Sequence, residues 1–207
     1  MTDSDLIPQL LARFDAAQPA GRRRLVALAG GPASGKSTLA ETLADALRNV
    51  GRDVAVVPMD GFHLDNTLLT QRGLLARKGA PQTFDAAGFV HLVRRLKSEP
   101  EVIFPHFDRS RDIAIAGSGC VTESCDTVIV EGNYLLFDAD PWRELAALWD
   151  VSVRIDLPLD VLRDRLVARW LAYGLDPQAA LARAEMNDLT NARSVAQQAL
   201  PADITVQ

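Results

Sequence analysis

The sequence predicts an α/β fold in three layers, with a mainly parallel central sheet flanked by helices and a helical lid at one end. Three observations predict it. A short apolar run at 25–29 (LVALA) breaks into a glycine-rich segment and then into a helical repeat. Further apolar runs at 53–59 and 127–130 close in Asp60 and Glu131, and another lies at 151–157. Between them lie stretches with helical spacing, and strands alternating with helices build parallel sheets through right-handed crossovers. With 207 residues the chain suits one domain that buries roughly 70 % of its unfolded surface.

Composition narrows the function classes. Apolar residues make up 48 % of the chain and charged residues 24 %, an ordinary soluble balance. The net charge of −5 argues against a broad nucleic-acid footprint. No apolar run approaches a bilayer span and no signal-peptide core opens the chain, so no membrane partner is expected. Cys120 and Cys125 are the only cysteines and have no histidine beside them. They form neither a zinc site nor a disulfide framework, and they fit a reducing cytoplasm.

The glycine-rich segment reads Gly30-Gly31-Pro32-Ala33-Ser34-Gly35-Lys36-Ser37-Thr38 and fits G-x-x-x-x-G-K-[ST]. A phosphate chain needs backbone N–H groups turned inward around it, and glycines let the chain curl that tightly. Lys36 would meet the β- and γ-phosphates, and Ser37 would give its hydroxyl to Mg²⁺. The following helix would offer its N-terminal amides to the same anion. Leu39, Leu43, Leu47 and Val50 repeat at helical spacing, and Gly51 stops that helix. The setting on both sides points to a nucleoside triphosphate.

Before this segment, Leu6, Leu10, Leu11 and Phe14 share one helical face, which predicts a short docking helix within 1–24. Arg22-Arg23-Arg24 follows and reads as a solvated connector rather than a phosphate or membrane contact. After the helix, the 53–59 strand ends at Asp60-Gly61-Phe62-His63. Asp60 stands at a carboxyl end of the sheet, where ligands collect. It is either a turn aspartate before glycine or the base that accepts a substrate hydroxyl proton. Residues 64–84 predict a helix and then a mobile, basic, substrate-side loop, and 86–97 predict a helix carrying Phe89, Val90, Val93 and Leu96 inward. A short strand at 102–104 precedes Pro105-His106-Phe107-Asp108-Arg109-Ser110-Arg111-Asp112, either a pocket for a polar ligand or a solvated loop. Gly117-Ser118-Gly119 reads as a turn.

The 127–130 strand ends in Glu131, a carboxylate placed to complete a Mg²⁺ shell directly or through water, or simply a polar strand end. A helix at 142–148 has Pro141 at its first turn. The helix 159–173 places Leu162, Leu166, Trp170 and Tyr173 inward with Arg163, Arg165 and Arg169 between them. These arginines either clamp a migrating phosphoryl group in a lid, spanning about 159–190, or pair with Asp160 and Asp164 along the helix. The 177–200 stretch is helical with an interruption near 187–191. Asn187 and Asn191, four apart, either meet a ligand or cap and turn the chain. Residues 202–206 predict a last strand.

With these residues laid out, the chain resembles the P-loop kinases that include uridine kinase, phosphoribulokinase and type I pantothenate kinase. The likeness runs from Leu25 to the C-terminus, through GGPASGKST, PMDGFH, VIVEGNYLL and the arginine-bearing helix. The stretch RGLLARKGAPQTFDAAGFVHL is similar to pantothenate kinase, while PMDGFHLDN and FPHFDRSRD look closest to short bacterial proteins named fructose transport system kinases. The resemblance implies a nucleoside-monophosphate-kinase-like P-loop fold that uses ATP and Mg²⁺. It implies Asp60 as catalytic aspartate, Lys36 and Ser37 as ATP and Mg²⁺ contacts, Glu131 as the strand-end carboxylate and Arg169 as a lid arginine. His63, Phe107, Arg109, Arg111, Asn187 and Asn191 are the candidates for holding a small hydroxyl acceptor beside Asp60. A homodimer would be unsurprising for the group. The rival reading, a nucleotide-dependent switch, lacks the N-K-x-D of a GTPase and the LSGGQ of an ABC-type ATPase.

Overall fold

The computed structural model describes residues 3–207, with side chains from Leu6 onward. Its strands are β1 (Arg24–Gly30), β2 (Val54–Pro58), β3 (Val102–Asp108), β4 (Ile113–Val121), β5 (Thr127–Gly132), β6 (Val151–Ile155) and β7 (Ile204–Val206). Its helices are α1 (Asp3–Ala16), α2 (Lys36–Asn49), α3 (Asn66–Gln71), α4 (Ala86–Ser98), α5 (Leu159–Ala172), α6 (Pro177–Arg183) and α7 (Leu189–Gln197). Five parallel strands form the sheet in the order β2-β5-β1-β6-β7. All of β1 and β5 is buried, as a parallel strand covered on both faces must be.

Two apolar layers close on the sheet. Leu10 and Phe14 of α1 and Leu43 and Leu47 of α2 pack on Val26, Leu28 and Val153 at one face. Phe89, Val93 and Leu96 of α4, with Trp142 and Tyr134, pack on Ala27, Val128 and Val130 at the other. A smaller cluster, Leu162, Leu166, Leu189 and Ala192, joins α5 to α7. The fold is therefore the three-layer, mainly parallel P-loop architecture that the sequence predicts. Among the described residues, no helix is long and apolar enough to cross a membrane.

Several local expectations need correction. Val50 is the C-cap that directly follows Asn49, the last residue of α2, and it stays 67 % exposed rather than inward. Tyr173 caps α5 and is 58 % exposed rather than inward. The turn read at Gly117-Ser118-Gly119 is the interior of β4, which pairs antiparallel with β3 in a hairpin outside the main sheet. Those glycines look like turn residues, yet Gly119 is there for space. A Cβ on it would lie 2.4 Å from the Phe104 ring and 2.6 Å from the His106 ring. The 142–148 helix is a 3₁₀ segment, Trp142–Ala147. The break near 187–191 is a π turn, Ala184–Asp188, between α6 and α7.

The arginine triplet is corrected most sharply. Only Arg22 behaves as a solvated connector, pairing with Glu123 at the surface. Arg24 is buried, with its guanidinium on the Ala17 carbonyl and Thr127 Oγ1. Arg23 is 1 % exposed and donates to the carbonyls of Leu96, Pro100, Thr122 and Cys125 at 2.7–3.3 Å. It serves chain ends that would otherwise hold unpaired carbonyls. Arg23→Met should cost about 3 kcal/mol, since several buried acceptors lose their donor at once. Urea denaturation checks this, and an unchanged midpoint would contradict the staple.

Candidate active site

Between β1 and α2 the backbone curls through left-handed conformations at Ala33 (φ 61°) and Gly35 (φ 96°). Ala33 carries this at a cost that loops around ligands commonly bear. Lys36 opens α2 and is buried, with Nζ donating to the Gly31 carbonyl at 2.9 Å. Burial depresses its pKa, and the carboxylates of Glu131 and Asp60 oppose that shift. Ser34 Oγ is buried without a partner. No acidic residue occupies the first turn of α2. An orphan hydroxyl, a buried ammonium and free first-turn amides together present donors with little to receive them, which fits a polyphosphate.

Glu131 comes from the carboxyl end of β5, opposite Leu28 of β1 and Pro58 of β2. It accepts from Ser37 Oγ at 3.2 Å. Burial raises its pKa, and the Lys36 ammonium counters that most. Among the described residues no set of three or more His, Cys, Asp or Glu side chains forms a preassembled cation cage. Ser37 and Glu131 fit a divalent cation that completes its shell with phosphate oxygens and water.

Asp60 lies in the 3₁₀ turn Met59–Phe62 that follows β2. The glycine after it is not a simple turn residue. A Cβ on Gly61 would stand 2.1 Å from the Pro105 carbonyl, so its absence lets β3 press directly on this turn. That contact brings in the hairpin end, where Arg109 Nη2 donates to Asp60 Oδ2 at 2.5 Å. Among the described residues Oδ1 receives no hydrogen bond, so one carboxylate oxygen is held and the other is open.

The far wall is aromatic. The His63 ring stacks between Phe84 and Phe107, with centroids 4.1 and 4.6 Å away. Its Nδ1 donates to the Asp60 carbonyl at 2.8 Å, which leaves Nε2 as a lone-pair acceptor in the neutral ring. Burial lowers the His63 pKa against the pull of the Asp60 carboxylate. Lys78 lies 5.0 Å from the Phe107 centroid and binds Asn66 and Asp112.

Residues of α5, α6 and α7 complete a cleft of about 380 Å³. Arg169 lines it and, among the described residues, forms no ion pair. Arg165 donates to the Ala33 and Ser34 carbonyls at 3.4 Å, gripping the phosphate loop from α5. Arg163 turns the other way and pairs with Glu185. Trp170 Nε1 donates to Asp188 at 2.6 Å, and Arg183 covers the Trp170 ring.

The structure thus gathers Lys36, Ser37, Glu131, Asp60, His63, Phe107, Arg109, Arg169 and Asn191 around one cleft. Two candidates stand apart. Arg111 pairs with Asp108 inside the hairpin turn and does not line the cleft, because three residues separate it from its partner in a tight turn. Asn187 is buried and donates to the Lys78 carbonyl instead of facing the cleft. Asn191 lines the cleft while accepting from Arg77. Sequence reasoning passed over Lys78, Asp112 and Asp188, which also line it. The first two stood in segments already marked as basic or polar, but no spacing links them. The 61–84 segment is tied down by Arg77, by the Asn187–Lys78 bond and by Tyr134 on the Gly79 carbonyl.

This fold and cleft define a P-loop phosphotransferase for a small molecule. Comparison with known proteins agrees. A provisionally named fructose transport system kinase from Silicibacter sp. TM1040 has a solved structure that superposes with TM-score 0.93, at 56 % identity over the whole of both chains. A provisionally named uridine kinase of Schizosaccharomyces pombe is 36 % identical over 196 residues, spanning 90 % of this chain and 83 % of that one. A pantothenate kinase of Nocardioides is 35 % identical over 163 residues, although the match spans only 50 % of that longer protein. The family model for methylmalonyl Co-A mutase-associated GTPase MeaB matches residues 5–63, the part that contains the phosphate loop. The chain belongs to the P-loop kinase family of uridine kinase, phosphoribulokinase and pantothenate kinase, and it is a small-molecule kinase.

The half-buried His63 sets a pH dependence. With its folded pKa below the unfolded value, the unfolded chain binds the proton more tightly, so stability falls as pH drops below about 6.5. His63→Gln should flatten that decline, by at most about 1.4 kcal/mol per pH unit. Thermal midpoints between pH 7 and 5 check this; parallel curves for the two proteins would contradict it.

Proposed function

We propose that the protein transfers the γ-phosphoryl group of ATP to a hydroxyl of a small metabolite, with Asp60 accepting the hydroxyl proton. The observation that carries this reading is one cleft lined by Lys36, the Ser37–Glu131 pair and a carboxylate with one open oxygen. The acceptor oxygen bonds to the γ-phosphorus, the bond to the ADP oxygen breaks, and the proton passes to Asp60 Oδ1. Arg109 on Oδ2 fixes the carboxylate so that this oxygen keeps one direction. Lys36, the loop amides and Arg169 hold the phosphates.

Ser37 and Glu131 hold Mg²⁺, which when bound neutralises charge on the phosphate oxygens. Phosphoryl transfer passes through a loose transition state, so the chain contributes mainly position and charge compensation. Segment 159–190 acts as the lid. The names of the relatives, which span a nucleoside, a sugar system and pantothenate, support a hydroxylated metabolite as acceptor.

Asp60→Asn should lower turnover by about a hundredfold or more and leave ATP affinity nearly unchanged, the pattern of a lost general base. ADP release and equilibrium nucleotide binding measure the two separately. Wild-type turnover in this variant would remove Asp60 from the chemistry.

A further inference from the structure

The cleft holds several cations, and whether they are free decides what charge the acceptor can carry. At the acceptor end Lys78 and Arg109 each have a carboxylate partner. An ammonium has three N–H donors. Lys78 Nζ has acceptors for all of them: Asn66 Oδ1 at 2.7 Å, the Asp112 carbonyl at 2.9 Å and Asp112 Oδ1 at 2.9 Å. Its side chain is only 9 % exposed, so water does not substitute for these partners. Arg109 is held by Asp60. Arg77 is held by Asn191 and the Met186 carbonyl, and Arg183 lies over the Trp170 ring.

The charges there sum to zero in three sets, Asp60 with Arg109, Lys78 with Asp112, and Asp188 with Arg183, which also line the cleft. Burial disfavours the charged form of His63. Arg169, which also lines the cleft, is the cation that the kinase reading above assigns to the phosphates. Lone pairs stay open at the acceptor end, on Asp60 Oδ1 and His63 Nε2, and lone pairs receive hydroxyl protons.

From this pairing we infer that the acceptor is an uncharged polyhydroxy molecule, and that acceptors already bearing a phosphate or carboxylate are rejected. An anion there would have to break Lys78 or Arg109 away from its partner, or face Asp60 and Asp112 without compensation. The inference rests on the kinase reading above and narrows its substrate class.

The test is acceptor-dependent ADP release by the full chain with Mg·ATP, using pairs matched except for the charge. Fructose against fructose 6-phosphate, uridine against uridine 5′-monophosphate, and pantothenol against pantothenate serve. Wherever a pair supports turnover, the neutral member should have the higher kcat/KM, by about tenfold or more, the scale of one charge-assisted contact. An anionic member used as well or better overturns the inference and leaves the kinase reading standing. Acceptor-independent release with every member overturns both.

Asp112→Asn supplies the second arm. It strips the counter-charge from Lys78 and is tolerated locally, since Asp112 sits at φ 56°, a conformation asparagine also adopts. The variant should move the neutral-to-anionic ratio towards the anion by several-fold. An unchanged ratio would show that the pairing of Lys78 does not set the preference, and would overturn the inference.

Discussion

Parallel pairing of β5 with both β1 and β2 is the constraint on which the site depends. The register sets Glu131 opposite Leu28 on one side and Pro58 on the other. The phosphate loop therefore leaves β1, and Asp60 leaves β2, at the level where Glu131 ends β5. No long side chain is needed to bridge the three. A shift of one residue in either pairing would turn Glu131 to the opposite face of the sheet. The two apolar layers, one under α1 and α2 and one under α4, keep that register from slipping.

The same arrangement places costly groups together. Lys36 and Glu131 are both buried, and burial works against the charge on each. Each is kept ionised partly by the other, so removing one leaves a lone buried charge. Ala33 adds backbone strain, and Ser34 Oγ adds an unpaired hydroxyl. Such features weigh against the stability of the empty protein and make sense where a ligand later satisfies them. Arg23 and Arg24 offset this elsewhere, binding the ends of strands and helices that the apolar core cannot reach.

The sheet and the nucleotide side of the cleft were legible because their signals are local. Apolar runs ending in Gly30, Asp60 and Glu131 each carry their own strand, end and candidate site residue within a few positions. The acceptor side was legible only as separate candidates such as His63, Phe107 and Arg109, because the pairings that organise it join partners far apart in the chain. Arg109 reaches Asp60 only through the close approach of Pro105 to Gly61, and Lys78 meets Asp112 across 34 residues. The second strand of the β3–β4 hairpin stayed hidden because Gly117 and Gly119 mimic a turn, whereas Gly119 makes room for the Phe104 and His106 rings. The arginine triplet misled for a related reason. Charge in sequence says solvent, whereas a guanidinium with enough carbonyls around it can be enclosed.

The central claim is that Ser37 and Glu131, from separate segments, hold one cation against the nucleotide. A double-mutant cycle tests it most directly: Ser37→Ala, Glu131→Gln and the pair, read as the affinity for a non-hydrolysable ATP analogue with and without Mg²⁺. The account predicts that with Mg²⁺ the double variant binds little worse than the weaker single variant, and that this coupling vanishes when Mg²⁺ is withheld. Losses that add to within about 0.5 kcal/mol in the presence of Mg²⁺ would mean the two residues act independently, and would contradict the account.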